Sequence, residues 1–161
     1  MGFKNLQWLL LTKHEHWKKL TEQDAVVFPI ADQISEYEYE KILKEEGLQA
    51  WVLIDLEENW IANFQLIPNT SHVPQLQPRT STPAMYLNSI AVFPPHQSKG
   101  YSHILMKKLL ALEGHKDIYA RTRDDNTRSQ KLLSKYHFKE VSCEVIRKES
   151  WVWFLREAFR I

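Results

Sequence analysis

The chain has 161 residues, 43% hydrophobic and 25% charged, with a formal net charge of +1. This is ordinary globular make-up, long enough to bury a core in one domain, and a charge near zero gives no case for nucleic acid or an anionic membrane surface as partner. The lone Cys143 excludes an internal disulfide and fits a reducing compartment; with Leu6–Leu11 too short to span a bilayer and no cleavage signal beside it, a soluble cytoplasmic protein is expected.

Leu6–Thr12 reads as a first strand, followed by a poorly patterned stretch to Pro29. Ala31–Glu46 is helix-like: Ile34, Tyr37, Ile42 and Leu43 share a broad face, Glu40 and Lys44 form an i,i+4 pair, and Gly47 closes the segment. Leu48–Leu56 and Trp60–Ile67 are apolar runs split by Glu57-Glu58-Asn59, a hairpin signal. Asn69–Pro83, with Pro74, Pro78 and Pro83, is a long loop, the kind that serves as a flap or is disordered. Met85–Phe93 is a strand with Tyr86, Asn88, Ile90 and Val92 on one face. Ser102–Glu113 is a helix striped by Ile104, Leu105, Leu109 and Leu112. Asp117–Arg123 alternates as a half-buried strand, and Asp124 or Asp125 can cap a helix running through Tyr136. Phe138–Arg147 and Trp151–Glu157 form a second hairpin. Strands alternating with helices in the second half indicate an α/β fold with a mixed sheet.

One glycine needs an explanation. Gly47 and Gly114 follow helix-like runs, where a C-terminal cap is expected, but Gly100 precedes one. A strand ends at Val92-Phe93, Pro94-Pro95 stop it, and Gln97-Ser98-Lys99-Gly100-Tyr101-Ser102 leads into the next helix. Helix N-termini present N–H groups without acceptors and a partial positive charge, and a preceding loop of inward N–H groups extends that anion cradle. Glycine lets a phosphate approach the backbone there, with Lys99 adding charge. A tight strand-to-helix turn accounts for Gly100 equally well on this physics.

The stretch Val92-x-Pro94-x-x-Gln97-x-x-Gly100-x-Ser102 resembles the acyl-CoA pyrophosphate motif of the GCN5-related N-acetyltransferases (GNAT), which ends in glycine or alanine where this chain has Ser102. Asn126-Thr127-Arg128-Ser129, followed by Phe138, resembles the second CoA-facing helix of that family, and the order of elements matches across nearly the whole chain. The resemblance implies a single GNAT-like domain over residues 1–161. Its sheet would be mixed and mostly antiparallel, flanked by helices, with the strands Met85–Phe93 and Asp117–Arg123 splayed to form the acyl-CoA cleft. It implies acetyl-CoA as the acyl donor. Backbone groups of Ile90, Ala91 and Val92 would pair with the pantetheine arm like an added strand. Gln97, Ser98, Lys99, Gly100, Tyr101 and Ser102 would hold the pyrophosphate, and Asn126 would reach the arm.

The implied reaction is direct attack of a primary amine, on a small molecule or peptide, at the thioester. Holding a lysine-like amine neutral at pH 7 costs about 4 to 5 kcal/mol, so a base is wanted. The strand before the loop offers Tyr86 and Asn88 and no carboxylate; Glu57, Glu58 and His96 are alternatives that read better as surface groups. Members of the family commonly place a tyrosine seven residues after the helix asparagine to protonate the leaving thiolate. That position is Leu133 here, and Tyr136 follows about 4.5 Å further along the axis and about 60° short of a full turn. Tyr136 is the candidate acid, with core packing as its alternative. These departures leave a second reading open, a catalytically weakened acyl-CoA-binding protein that acts as a sensor or interaction partner; a fold that binds no CoA is a third. Of the remaining features, His14-x-His16 reads as a surface pair, with no metal site expected. Trp151 and Trp153 read as core, with a homodimer interface or an aromatic substrate wall as alternatives. The carboxylates of Asp32–Glu46 read as a solvated face, with a cationic amine as the substrate they would otherwise imply.

Overall fold

A computed structural model describes residues 5–28, 33, 35–68 and 84–158. The expected loop Asn69–Pro83 and the residues Ala31, Asp32 and Ile34 of the expected helix lie outside these. Seven strands hydrogen-bond in the order β1-β2-β3-β4-β5-β7-β6. They are β1 (Gln7–Leu10), β2 (Gln49–Ile54), β3 (Trp60–Ile67), β4 (Met85–Val92), β5 (Ile118–Arg123), β6 (Lys139–Ile146) and β7 (Glu149–Arg156). Four helices join them: α1 (His14–Val27), α2 (Glu36–Glu46), α3 (Tyr101–Glu113) and α4 (Thr127–Lys135). The described strand pairings are antiparallel except β4 with β5, so the sheet is mixed and mostly antiparallel, as expected. The chain divides into two compact units, Met1–Leu66 with Ser89–Leu105, and Ile67–Asn88 with Met106–Ile161.

In the first unit the β2–β3 hairpin forms as expected. Asp55 Oδ1 accepts the N–H groups of Glu57 and Asn59, and Glu58 takes a left-handed φ of 64° to complete the turn. Every residue of β3 is buried. The stretch before Pro29 corrects the sequence reading, because it is the 14-residue helix α1. Its buried stripe is Trp17, Leu20 and Asp24, and an aspartate in the third place broke the apolar period. His16 Nδ1 accepts the backbone N–H groups of Thr12 and Lys13 at the start of α1. The ring of Trp17 stacks on that of Tyr39 from α2, with centroids 5.8 Å apart. On α2 the buried aromatic is Tyr39, while Tyr37, expected on the inner face, is 75% exposed. Glu40, expected to pair with Lys44, instead meets His14, whose other ring nitrogen lies 2.8 Å from Glu36. With a carboxylate at each nitrogen, the ring is favoured as the cation: the hydrogen bond to Glu40, then the charges of Glu40 and Glu36, raise its pKa.

In the second unit β4 and β5 run parallel through Met85–Ile118, Tyr86–Tyr119 and Leu87–Ala120. The β6–β7 hairpin turns on Arg147 and Lys148, both left-handed at φ 50° and 70°. Trp153 is core, its ring against Tyr86 and its Nε1 donating to Glu144 at 2.8 Å. Trp151 lies beneath the guanidinium groups of Arg121 and Arg123, 4.4 and 4.8 Å from its centroid. Arg156, 2% exposed, closes two helix ends at once. Its Nη1 donates to the Gly114 carbonyl after α3, and its Nε to the Tyr136 carbonyl after α4. A cation at two helix C-termini satisfies orphan carbonyls and complements both dipoles. Arg156→Met is therefore expected to lower stability by about 2 to 3 kcal/mol in urea unfolding.

Candidate functional site

Gly100 sits at the hinge between a strand end and a helix start, all within the first unit. Beyond Val92 a 3-10 turn, Pro94–His96, stops the strand, and the Phe93 N–H donates back to the Ile61 carbonyl of β3 at 2.9 Å. Prolines at the head of this turn cost no donor. The chain then doubles toward α3 through two left-handed residues, Ser98 at φ 62° and Gly100 at φ 87°. Glycine is required at the second for conformational reasons alone. The two readings of Gly100 are thus compatible, since a tight turn before a helix does not exclude an anion at the helix start.

Two ties fix the loop. Gln97 Nε2 donates to the Val92 carbonyl at 3.0 Å, pinning the loop to the strand it leaves. The ring of His96 meets that of Tyr101 edge-on, centroids 6.1 Å apart, which joins the loop's first residues to the first residue of α3. Gln97, Ser98, Lys99 and Gly100 are exposed, while Tyr101 and Ser102 are half-buried. Ile90, Ala91, Val92 and the loop 97–102 are therefore brought together in one unit. With its side-chain nitrogen used on Val92, Gln97 holds the loop's shape.

Asn126 and Tyr136 belong to the second unit. Asn126 caps α4, its Oδ1 accepting the Ser129 N–H at 3.1 Å, which corrects the expected cap at Asp124 or Asp125. Asn126 is exposed. Tyr136 is the C-terminal cap of the same helix, so ten residues, about 15 Å of helix, separate the two. The Tyr136 phenol is half-buried, and that burial raises its pKa. Leu133, in the place of the family's tyrosine, is buried. On β4, Tyr86 is buried and held neutral mainly by that burial, while Asn88 is half-buried.

A polar cluster in the first unit escaped the sequence reading. Tyr39 donates its hydroxyl proton to Asp24 Oδ2, and Gln65 Nε2 donates both to the Tyr39 oxygen, at 3.2 Å, and to Asn63 Oδ1, at 3.1 Å. Asp24 is 2% exposed, and Asn63 and Gln65 are fully buried. Burial pushes the Asp24 carboxyl up to about 6, against the opposing pull of the Tyr39 hydrogen bond. The signal was present in the sequence: two amides, Asn63 and Gln65, at alternate places of an otherwise apolar strand. Among the described residues no group of His, Cys, Asp and Glu is placed to hold a metal ion, and no helix is long and apolar enough to cross a membrane.

The acetyltransferase (GNAT) family model matches residues 11–138. No curated protein sequence gives a significant match. Among solved structures, the Arabidopsis thaliana protein NAA60 in complex with acetyl-CoA superposes with a TM-score of 0.74 at 11% identity, covering 94% of this chain and 97% of that one. NAA60 in complex with a bisubstrate analogue gives 0.71 at 10% identity, covering 93% and 97%. The dodecameric spermidine N-acetyltransferase of Vibrio cholerae gives 0.69 at 16% identity, covering 95% and 94%. At these identities the superpositions establish a shared fold.

A folded-state carboxyl pKa raised above the unfolded value favours the native state fully below the unfolded pKa, and that stability is lost as pH rises through the folded one. The stability of the wild type should therefore fall relative to Asp24→Asn as pH rises from about 4 to about 7, by up to about 3 kcal/mol. Paired urea titrations at the two pH values measure it.

Proposed function

The chain belongs to the acetyltransferase (GNAT) family, and we propose that it acts as a single acyltransferase domain, passing an acetyl group from acetyl-CoA to a primary amine of a small molecule or peptide. The observation that carries this reading is the turn from β4 into α3. Its two left-handed residues and the Gln97 tie, just ahead of a helix start, support an anion site there. The residues fit acetyl-CoA on their own chemistry. Backbone N–H groups of Ser98, Lys99, Gly100, Tyr101 and Ser102 would hold the pyrophosphate, with Lys99 and the Ser102 hydroxyl beside them, while the Gln97 N–H, which donates to the Pro94 carbonyl, keeps that residue in a shaping role. The edges of Ile90, Ala91 and Val92 would take the pantetheine amides. The Val92 carbonyl already accepts from Gln97, so Ile90 and Ala91 carry most of that pairing. Asn126 Nδ2 would reach the arm.

Within this reading the amine attacks the thioester carbonyl directly, forming C–N as C–S breaks. Tyr136, whose burial raises its pKa, gives a proton to the departing sulfur, and the proton that the nitrogen sheds returns to the phenolate through solvent. An unassisted thiolate departs at a cost of only about 2 kcal/mol relative to thiol at pH 7, so Tyr136→Phe should lower kcat by roughly 10-fold and leave KM for acetyl-CoA unchanged in a thiol-release assay. The structurally similar spermidine N-acetyltransferase of Vibrio cholerae supports an amine acceptor. A cytoplasmic location and a homodimer are part of the proposal; the latter is supported by the end strand β6, which exposes Val141 and Val145. The rival reading, a binding protein with weakened catalysis, is favoured by the buried Leu133 and by the lack of a carboxylate on β4.

Calorimetric titration of acetyl-CoA tests the core of the proposal. Wild type should bind in the micromolar range, and Gly100→Trp, with its fold verified by circular dichroism, should lose that binding. Folded wild type that does not bind acetyl-CoA would overturn both readings. Binding without turnover over a panel of primary amines would select the rival.

A further inference from the structure

The described pairing of β4 with β5 is confined to Met85–Ile118, Tyr86–Tyr119 and Leu87–Ala120. Beyond it β5 runs on to Arg123, still paired with β7, and β4 runs on from Asn88. Arg121 is thus the first residue of β5 past the last pair. Its face follows from the register. Ile118 stands opposite Arg156, whose guanidinium reaches the carbonyls that end α3 and α4, so Ile118 is on the helix face. Arg121, three residues on, is on the other face. It shares that face with Trp153, its partner on β7, and with Tyr86, whose ring lies 5.9 Å from that of Trp153. Asn88, two residues beyond Tyr86 on β4, lies on it too.

The Arg121 guanidinium is held by three contacts. It lies over Trp151 and Trp153, 4.4 and 5.5 Å from the ring centroids, and its Nη1 is 3.5 Å from Glu144 Oε1. The same carboxylate oxygen accepts the Trp153 Nε1 proton at 2.8 Å, which fixes Glu144 in turn. Stacking uses the flat faces of a guanidinium and leaves the N–H groups of its edge. At Arg121 none of them makes a hydrogen bond among the described residues, and the side chain is 29% exposed. Arg156 is the contrast, since its edge is closed by two helix-end carbonyls. Arg121 is therefore an oriented fork that solvent can reach, and a carboxylate fits such a fork through two parallel hydrogen bonds. With Glu144 beside it, a singly charged carboxylate suits the place better than a doubly charged phosphate. The Arg121 charge also acts on β4, where it opposes the burial that raises the pKa of the Tyr86 phenol.

Resting on the acyl-transfer reading, we propose that Arg121 determines acceptor specificity: its guanidinium pairs with a carboxylate on the acceptor, so the substrate is a primary amine that also carries a carboxylate. Trp151, Trp153 and Glu144 are positioning residues that hold the fork. In that reading the donor's arm runs back along the edge of β4 from Ala91 through Ile90, which directs the thioester toward Asn88. Asn88 and Arg121 are the first residues of their strands past the last pair, so a carboxylate held at Arg121 leaves the amine of the same molecule on the β4 side. The same cation discriminates against polyamines, because their further ammonium groups would meet a like charge.

The experiment compares kcat/KM, with acetyl-CoA as donor, for amine pairs that differ in the carboxylate: β-alanine with ethylamine, γ-aminobutyrate with propylamine, and a glutamate-containing peptide with its glutamine counterpart. The first two pairs represent a free amino acid and the third an acidic peptide, and a preference in either supports the assignment. The wild type should favour the carboxylate-bearing member by about 30-fold, and Arg121→Met should bring that ratio close to one. Arg121→Lys keeps the charge and loses the fork, so its ratio should fall between the two. The ratio is the readout because a merely structural role for Arg121 lowers both members of a pair alike and leaves it where it was. Equal rates within every pair for the wild type overturn the assignment, and so does a wild-type preference that survives Arg121→Met. Should Arg121→Met not fold, a ratio unchanged in Arg121→Lys overturns it in the same way. A folded wild type that turns over no amine at all removes the acyl-transfer reading and the assignment with it. That failure is distinct from the assignment's own, in which amines with and without the carboxylate are turned over equally.

Discussion

The backbone reversal between β4 and α3 is the constraint on which the proposed chemistry depends. A strand must end, and a helix must begin, within the eight residues from Phe93 to Gly100. The chain does this with a 3-10 turn started by two prolines and two left-handed residues. Left-handed backbone at Ser98 costs a non-glycine residue of order 1 kcal/mol. The Gln97 bond to Val92 and the packing of His96 on Tyr101 offset it. In this geometry, the strand edge, the loop and the helix start share one unit.

The second unit rests on a different device. Arg156 at the end of β7 fastens the C-terminal ends of α3 and α4, and the face of β5 and β7 carries arginine on tryptophan, with Glu144 and Glu149 as counter-ions. The arginines and tryptophans of that face are partnered, and their effect is to hold strands in register. Buried carboxylate oxygens without a hydrogen-bond partner among the described residues occur in both units, at Asp24 Oδ1 and at Asp117 Oδ2.

Much of this was legible in the sequence. The β2–β3 and β6–β7 hairpins, β4, α3 and β5 appear within one or two residues of where apolar runs and turn residues put them, because runs rich in branched and aromatic residues between turn residues mark strands even where, as in β3, burial does not alternate. The loop motif pointed to the family, and the family model matches. What escaped was α1, because Asp24 occupies an apolar place in its stripe, and the inner face of α2, where Tyr39 and not Tyr37 turns inward. In α1 a polar group is placed inside, and periodicity counts polar groups as outside; in α2 two tyrosines two residues apart carry the same signal, and only the fold selects Tyr39. The cap of α4 was missed by one or two residues because Asp124, Asp125 and Asn126 are all competent caps, and only the fold of the turn after β5 selects Asn126. The two residues that the α4 comparison singled out sit at opposite ends of that helix, a separation that only its observed limits reveal.

The central claim is that the turn into α3 is a built anion cradle for acetyl-CoA. It is tested most directly by assigned backbone amide NMR of the full chain titrated with acetyl-CoA. The account predicts that the amide resonances of Gln97 to Ser102, with those of Ile90 and Ala91, move saturably and further than those of the distant hairpin turn at Arg147-Lys148. Saturable binding that leaves the amides of 97–102 in place would contradict it.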